Sequence, residues 1–345
     1  MPRSLTTRLT TLATAAATAV TVAALSACGG PAAATAGSTG GSGGSQLSLV
    51  AYSTPQEAYK ELIPAFQATP EGKGVTFTES YGASGAQTRA VVAGLKADVA
   101  ALSLAPDIAK LVDAGLVAKD WDAGPQHGDV TRSVVVLVVR KGNPKKIAGW
   151  DDLVKPGVKV VTPNPLSSGG ARWNVMAAYG AQVRGGKTPD QALAYLTDLF
   201  KHVAVQDASA ATSLQTFLNG TGDVLISYEN EAIAARDHGK EVEWVTPAST
   251  ILIENPAAVL SSSTNATAAK AFVDFLRTPA AQKIFAKHGY RPVLPDLVDP
   301  ATFPQPAQLF TIDDVGGWTE VSKKFFDPKA GLVVGVEKTA GTSLG

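Results

Sequence analysis

Ser133-Val134-Val135-Val136-Leu137-Val138-Val139-Arg140 is an unbroken aliphatic run closed by two polar residues. With no polar alternation, it reads as a strand buried on both faces, the kind that sits inside a sheet covered by helices on each side. Working outward, strands are predicted at Leu47 to Ala51, Val75 to Glu79, Val99 to Leu104, Val158 to Thr162, Val224 to Tyr228 and Ile251 to Leu260. Helices are predicted at Pro55 to Gln67, Ala86 to Ala93, Pro106 to Ala114, Ala171 to Gln182, Pro189 to Phe200, Thr212 to Asn219 and Glu231 to His238, with two amphipathic helices from Thr267 to His288. Alternation of this kind predicts an α/β fold with a mostly parallel sheet. No repeat shows at a period of about 20–50 residues. No linker splits the body into sequential domains, so two α/β lobes would be joined by crossing strands, with Val134 to Val139 and Ile251 to Leu260 as candidates. Residues 47–131 with 254–345 then form lobe I with a C-terminal wrap, and 132–253 form lobe II.

The composition excludes several functions. The 345 residues are 45% hydrophobic and 17% charged, enough apolar material for packed cores. Thirty basic residues balance thirty acidic ones, so no polybasic surface exists to track nucleic acid. One cysteine rules out a disulfide framework or a cysteine-built metal site, and the four histidines, at 127, 202, 238 and 288, show no metal-ligand spacing. No cofactor is expected: neither Gly-x-x-x-x-Gly-Lys-Ser/Thr nor Gly-x-Gly-x-x-Gly after a strand is present. Gly82-Ala83-Ser84-Gly85-Ala86 misses the Gly-x-Ser-x-Gly elbow of a serine hydrolase. Glu229 and Glu231 read as a solvated, dipole-favoured helix start.

Residues 1–27 form a secretory signal: Arg3 and Arg8, an Ala/Leu/Val/Thr stretch from Leu9 to Ala24, then Leu25-Ser26-Ala27 before Cys28. The stretch is too short and too rich in Ala and Thr for a membrane span. The placement of Cys28 resembles a bacterial lipoprotein signal, which implies lipidation of that cysteine. The alternative is an ordinary signal followed by a free thiol. Residues 28–46, nearly all Gly, Ala, Ser and Thr, read as a flexible tether. The expected location is therefore the outer face of the cell membrane, held by lipid. Loss of residues 1–27 leaves 28 basic against 30 acidic residues and, with Met176, two sulfur atoms, as suits a protein made when sulfur is scarce.

Three turns share a composition: Tyr81 to Gln87 (Tyr-Gly-Ala-Ser-Gly-Ala-Gln), Asn164 to Ala171 (Asn-Pro-Leu-Ser-Ser-Gly-Gly-Ala) and, more loosely, Asp207 to Ser213. A Ser with neighbouring Gly at a helix start offers free N–H groups, a hydroxyl and the positive end of a helix dipole, which suits an anion. Such a serine is also an ordinary N-cap. Two nearly identical turns, each at the C-terminal end of a strand, are expected to face one another across a cleft. Neither contains Asp, Glu, Lys or Arg, so the anion should be fully ionised: a protonated oxyanion would call for an acceptor. That favours a sulfate-like over a phosphate-like group.

The chain also resembles the sulfate-binding lipoproteins of bacterial ABC sulfate/thiosulfate importers. The resemblance runs from about Leu47 to Gly317. It is carried by Arg140-Lys141-Gly142-Asn143-Pro144, Trp150 to Gly157 (Trp-Asp-Asp-Leu-Val-Lys-Pro-Gly), Thr162 to Trp173, Gly222 to Ala232 and Leu309-Phe310-Thr311-Ile312-Asp313. It implies a type II periplasmic binding protein fold, two α/β lobes with a crossing-strand hinge and the ligand cleft between them. It implies a monomer that binds sulfate or thiosulfate, delivers it to the ABC permease subunits and is not an enzyme. The ligand-binding residues it implies are Ser53 through its N–H, Ser84 through N–H and hydroxyl, Gly85, the Ser168 hydroxyl, the Gly169 and Gly170 amides, Ala210, and Tyr228. Many members carry Trp where this chain has Tyr228, and an acidic residue where it has Ser53. Both departures move the site toward the related molybdate-binding proteins, leaving a molybdate or tungstate receptor as the alternative. An exported ester hydrolase and a scaffold without a small ligand complete the set of readings.

Overall fold

In the computed structural model, residues 45–342 are described. The signal segment, Cys28 and the tether up to residue 44 lie outside them. The first half of the body runs β1 (Gln46–Tyr52), α1 (Gln56–Gln67), β2 (Thr76–Gly82), α2 (Ser84–Val92), β3 (Val99–Ala101), α3 (Ala105–Asp113) and β4 (Asp129–Arg140). It continues with β5 (Val160–Pro163), α4 (Gly169–Arg184), α5 (Pro189–Lys201), β6 (Val203–Asp207), α6 (Ala210–Leu218), β7 (Val224–Tyr228), α7 (Glu229–Asp237) and β8 (Val242–Val245). The chain then forms β9 (Ser249–Val259), α8 (Ala266–Leu276), α9 (Pro279–Lys287), β10 (Gln308–Phe310), α10 (Gly317–Phe326) and α11 (Leu332–Ala340).

The strands form one sheet in the order β2-β1-β3-β9-β4-β7-β5-β6, with β10 beside β9 and β8 beside β4. It is mixed rather than mostly parallel. β1 pairs in parallel with β2 and β3, β5 with β6 and β7, and β9 with β10, whereas β4 and β9 run antiparallel to each other, β4 to β7 and β8, and β9 to β3. These two are the candidate crossing strands of the sequence reading. β4 gives its first half to β9 and its second half to β7 and β8. β9 gives its last residues to β3.

The aliphatic run behaves as its composition demands. Val135, Leu137 and Val139 enter one apolar cluster, with Trp173, Met176, Leu196 and Phe325. Val134, Val136 and Val138 enter another, with Val161, Phe217 and Leu225. Side chains alternate across a strand, so a run apolar at every position feeds two cores at once. A third cluster packs α1, α8 and α9 on β1 and β3 around Tyr59, Phe66 and Phe272. A fourth packs α2 and α3 on the opposite face around Val50, Ala100, Ile108 and Leu111. Arg140 closes the run: its guanidinium donates to the carbonyls of Phe217, Thr221 and Gly222 and lies 3.7 Å over the Phe217 ring, satisfying the C-terminal end of α6.

Candidate functional site

The serine turns lie inside the first helical turns rather than before them. α2 starts at Ser84, α4 at Gly169, α6 at Ala210 and α7 at Glu229, each two residues earlier than periodicity suggests. The difference decides the site. In α2, α4 and α6 the N–H groups of Ser84 and Gly85, Gly169 and Gly170, and Ala210 and Ala211 precede any intrahelical acceptor. These three helix starts meet Tyr228, the N-cap of α7, and the Ser53–Thr54 turn between β1 and α1 around a small cavity, with a free volume of about 10 Å³. Its walls are Tyr52, Ser53, Thr54, Gly82, Ala83, Ser84, Ser103, Ser168, Gly169, Gly170, Ala210 and Tyr228, and among the described residues no charged side chain lines it. Several positive helix ends converging on one neutral cavity give it a potential that suits an anion.

Ser53, Ser84, Ser168, Gly169, Gly170, Ala210 and Tyr228 all line the cavity. Gly85 does not. It lies against the Ser167 carbonyl, 3.0 Å from where its Cβ would stand, so the missing side chain lets the two serine turns approach closely. Ser168 caps α4, its Oγ accepting from the Ala171 N–H at 3.4 Å, which leaves the hydroxyl proton free. Ser84 differs from expectation. Its hydroxyl donates to Asp107 Oδ2 at 2.7 Å and accepts the Ser103 N–H at 3.0 Å. The proton is therefore committed to a carboxylate, and the free N–H is what Ser84 offers an anion.

Asp107 was not visible as part of this arrangement because it sits on α3, outside the turn. It is fully buried, with Lys110 Nζ at 3.0 Å and an Arg172 nitrogen at 3.9 Å. The nearest carboxylate is thus one hydrogen bond behind the wall and paired with cations.

Ser103, in the turn after β3, also escaped the sequence reading. It is 1% exposed and binds in every direction. Its carbonyl accepts from Trp173 Nε1 at 2.9 Å and Asn255 Nδ2 at 2.8 Å, and its Oγ lies 2.7 Å from the Tyr228 hydroxyl. Gly169 packs directly against it. Burial holds the Tyr228 phenol well above its usual range, so it remains protonated.

Behind Tyr228 lie two acidic side chains, and the structure corrects their reading as solvated. Glu229 is buried in a bidentate pair with Arg291, at 2.7 and 2.9 Å. Glu231 is buried, accepts from the Ser227 hydroxyl, and is pushed up to about 7 by loss of water. Neither lines the cavity. Among the described residues no group of His, Cys, Asp and Glu is arranged to hold a metal ion, and no helix is long and apolar enough to cross a membrane.

The family model for bacterial extracellular solute-binding proteins matches residues 47–291. The sulfate-binding protein of Synechococcus elongatus is 46% identical over 81% of this chain and 83% of its own length. The thiosulfate-binding protein of Pseudomonas aeruginosa is 36% identical over 80% of this chain and 88% of its own. Among solved structures, the sulfate-binding protein SubI from Mycobacterium tuberculosis superposes with a TM-score of 0.80 at 48% identity, covering 82% of this chain and all of that one. A chain with this sheet, these helix starts around a neutral cavity and these relatives belongs to the bacterial extracellular solute-binding proteins, among the sulfate- and thiosulfate-binding members of the type II fold.

Proposed function

We propose that this protein is the extracytoplasmic receptor of an ABC importer, enclosing sulfate, with thiosulfate as a second ligand, and presenting it to the membrane permease. The observation that carries the reading is the convergence of free helix-start amides on a cavity without a charged side chain. In that water-poor setting the amides of Ser53, Ser84, Gly169, Gly170 and Ala210, with the hydroxyls of Ser168 and Tyr228, stabilise a dianion through dipoles alone. Charge-assisted hydrogen bonds of this kind contribute about 1.5–3 kcal/mol each. The residues divide into lobe I (47–131 with 254–345) and lobe II (132–253), hinged where β4 and β9 cross, and closure around the anion removes water from the site. Lipidated Cys28 and the tether hold a monomer at the outer face of the cell membrane.

The molybdate alternative rests on Ser53 and Tyr228 alone, whereas the curated relatives described above are named for sulfate and thiosulfate. Against hydrolysis, no histidine lines the cavity, and the carboxylate that accepts the Ser84 proton is already paired with Lys110 and Arg172. Calorimetry with sulfate, thiosulfate, molybdate and phosphate at neutral pH tests the reading. Tight sulfate binding with phosphate silent is expected; preference for molybdate overturns the substrate, and silence from all four overturns the receptor. Cys28→Ser should release the protein from the membrane fraction, and retention would sink the lipid anchor.

A further inference from the structure

We propose that Ser103 and Tyr228 act as one hydroxyl pair delivering a single proton into the anion cavity, which makes Ser103 a determinant of anion binding rather than a packing residue. This rests on the receptor reading above and names the side chain that completes its donor set.

The argument is a proton count. Both residues line the cavity, both are 1% exposed, and their oxygens are 2.7 Å apart. Two hydroxyls carry two protons, and the bond between them uses one. The second needs an acceptor. Asn255 does not supply it: its Oδ1 accepts from Thr131 Oγ1 at 3.2 Å and its Nδ2 donates to the Ser103 carbonyl at 2.8 Å. The second proton is left facing the cavity from whichever hydroxyl heads the pair.

Ser103 is held where this works. Trp173 from α4 and Asn255 from β9 grip its carbonyl, and Ser84 from α2 accepts its N–H. A phenol alone has a rotatable proton and can turn a lone pair toward an anion. Joined to a clamped serine, the pair always shows one proton outward, as a fixed N–H donor would.

Removing either hydroxyl leaves one proton for the anion, and removing both leaves none. Sulfate titrations of the wild-type protein, Ser103→Ala, Tyr228→Phe and the double variant test this, with anion-free melting temperatures as the control for folding. Each single variant is expected to weaken binding about threefold and the double variant about 100-fold, the loss of a whole charge-assisted bond. The double loss should exceed the product of the single losses by about tenfold. Losses that simply multiply would mean two independent contacts and would overturn the pair. A double variant no weaker than Tyr228→Phe would remove Ser103 from binding altogether. If the wild-type protein ignores sulfate but binds molybdate, the receptor's substrate assignment fails on its own and the same four proteins are compared with molybdate under the same criteria. Silence toward both anions overturns the receptor reading and the pair together.

Discussion

Gly169 and Gly170 are adjacent in sequence, yet the structure separates their roles by distance. A Cβ built on Gly169 would stand 2.1 Å from Leu104 Cδ2 and 2.8 Å from both Cβ and Oγ of Ser103. Ordinary contact begins at 3.4 Å, so the turn after β3 and the start of α4 would have to part by roughly 1 Å. Gly169→Ala therefore pushes on Ser103, whose carbonyl and N–H are held by Trp173, Asn255 and Ser84. Overpacking of this kind costs about 1–3 kcal/mol, more than the ~1 kcal/mol that Ala gains over Gly in a helix. The melting temperature should fall by several degrees, and sulfate affinity by about tenfold or more as the amides lose their aim. A Cβ on Gly170 meets Ala210, Ser168 Oγ and Tyr228 Cε1 at 3.4, 3.5 and 3.5 Å, which is normal packing against the cavity wall. Gly170→Ala should keep or slightly raise the melting temperature while weakening sulfate binding, because the methyl occupies anion space. Scanning calorimetry and titration on both variants separate the two effects. Wild-type stability and affinity in Gly169→Ala would refute the reasoning, as would a Gly170→Ala protein that loses stability rather than affinity.

Ser168→Ala should lower sulfate affinity about tenfold and, by removing the long α4 cap, cost only about 0.5–1 kcal/mol of stability. Ser84→Ala should destabilise the anion-free protein by about 1–3 kcal/mol, since Asp107 and the Ser103 N–H both lose a buried partner; equal melting temperatures for the two variants would contradict the assignment. Arg291→Ala strands the buried Glu229 carboxylate and should cost about 3–5 kcal/mol in denaturant unfolding, and a loss below about 1 kcal/mol would show that water reaches the pair. Glu231 titrates near 7 in the folded protein, above the usual carboxylate value of 4.5. Between those two pH values the folded state binds the extra proton, so stability is greatest below the window and falls as pH rises through it, by up to about 3 kcal/mol. Glu231→Gln should flatten that slope, and an unchanged slope would assign it to Asp129, which burial pushes to about 8.

Local composition carried much of the fold and of the site. β4 and β7 were legible through the aliphatic runs Val134 to Val139 and Val224 to Ile226, although β4 begins at Asp129, before its run; the starts of α2, α4, α6 and α7 were legible only to within two residues. β6 and β8 were not, since both contain partly exposed residues and lack a long apolar run. α10 and α11 bury only a few apolar residues each, such as Val321 and Phe325, against the α4–α5 core, so their stability is tertiary. Ser103 stood in a turn without glycine, Ser103-Leu104-Ala105-Pro106, and owes its place to partners up to 152 residues away. Asp107 leaves no signal in the turns, because the carboxylate that reaches Ser84 comes from the neighbouring helix α3.

The double duty of β4 has a consequence for how the molecule comes apart. Its odd residues are anchored in one core, its even residues in another, and its amides are shared among β9, β7 and β8. No one of these partners can peel away without exposing valines that belong to the next. The backbone hydrogens of Val134 to Val139 should therefore exchange with deuterated solvent only when the whole described body opens, while those of edge strand β6 exchange through smaller local openings.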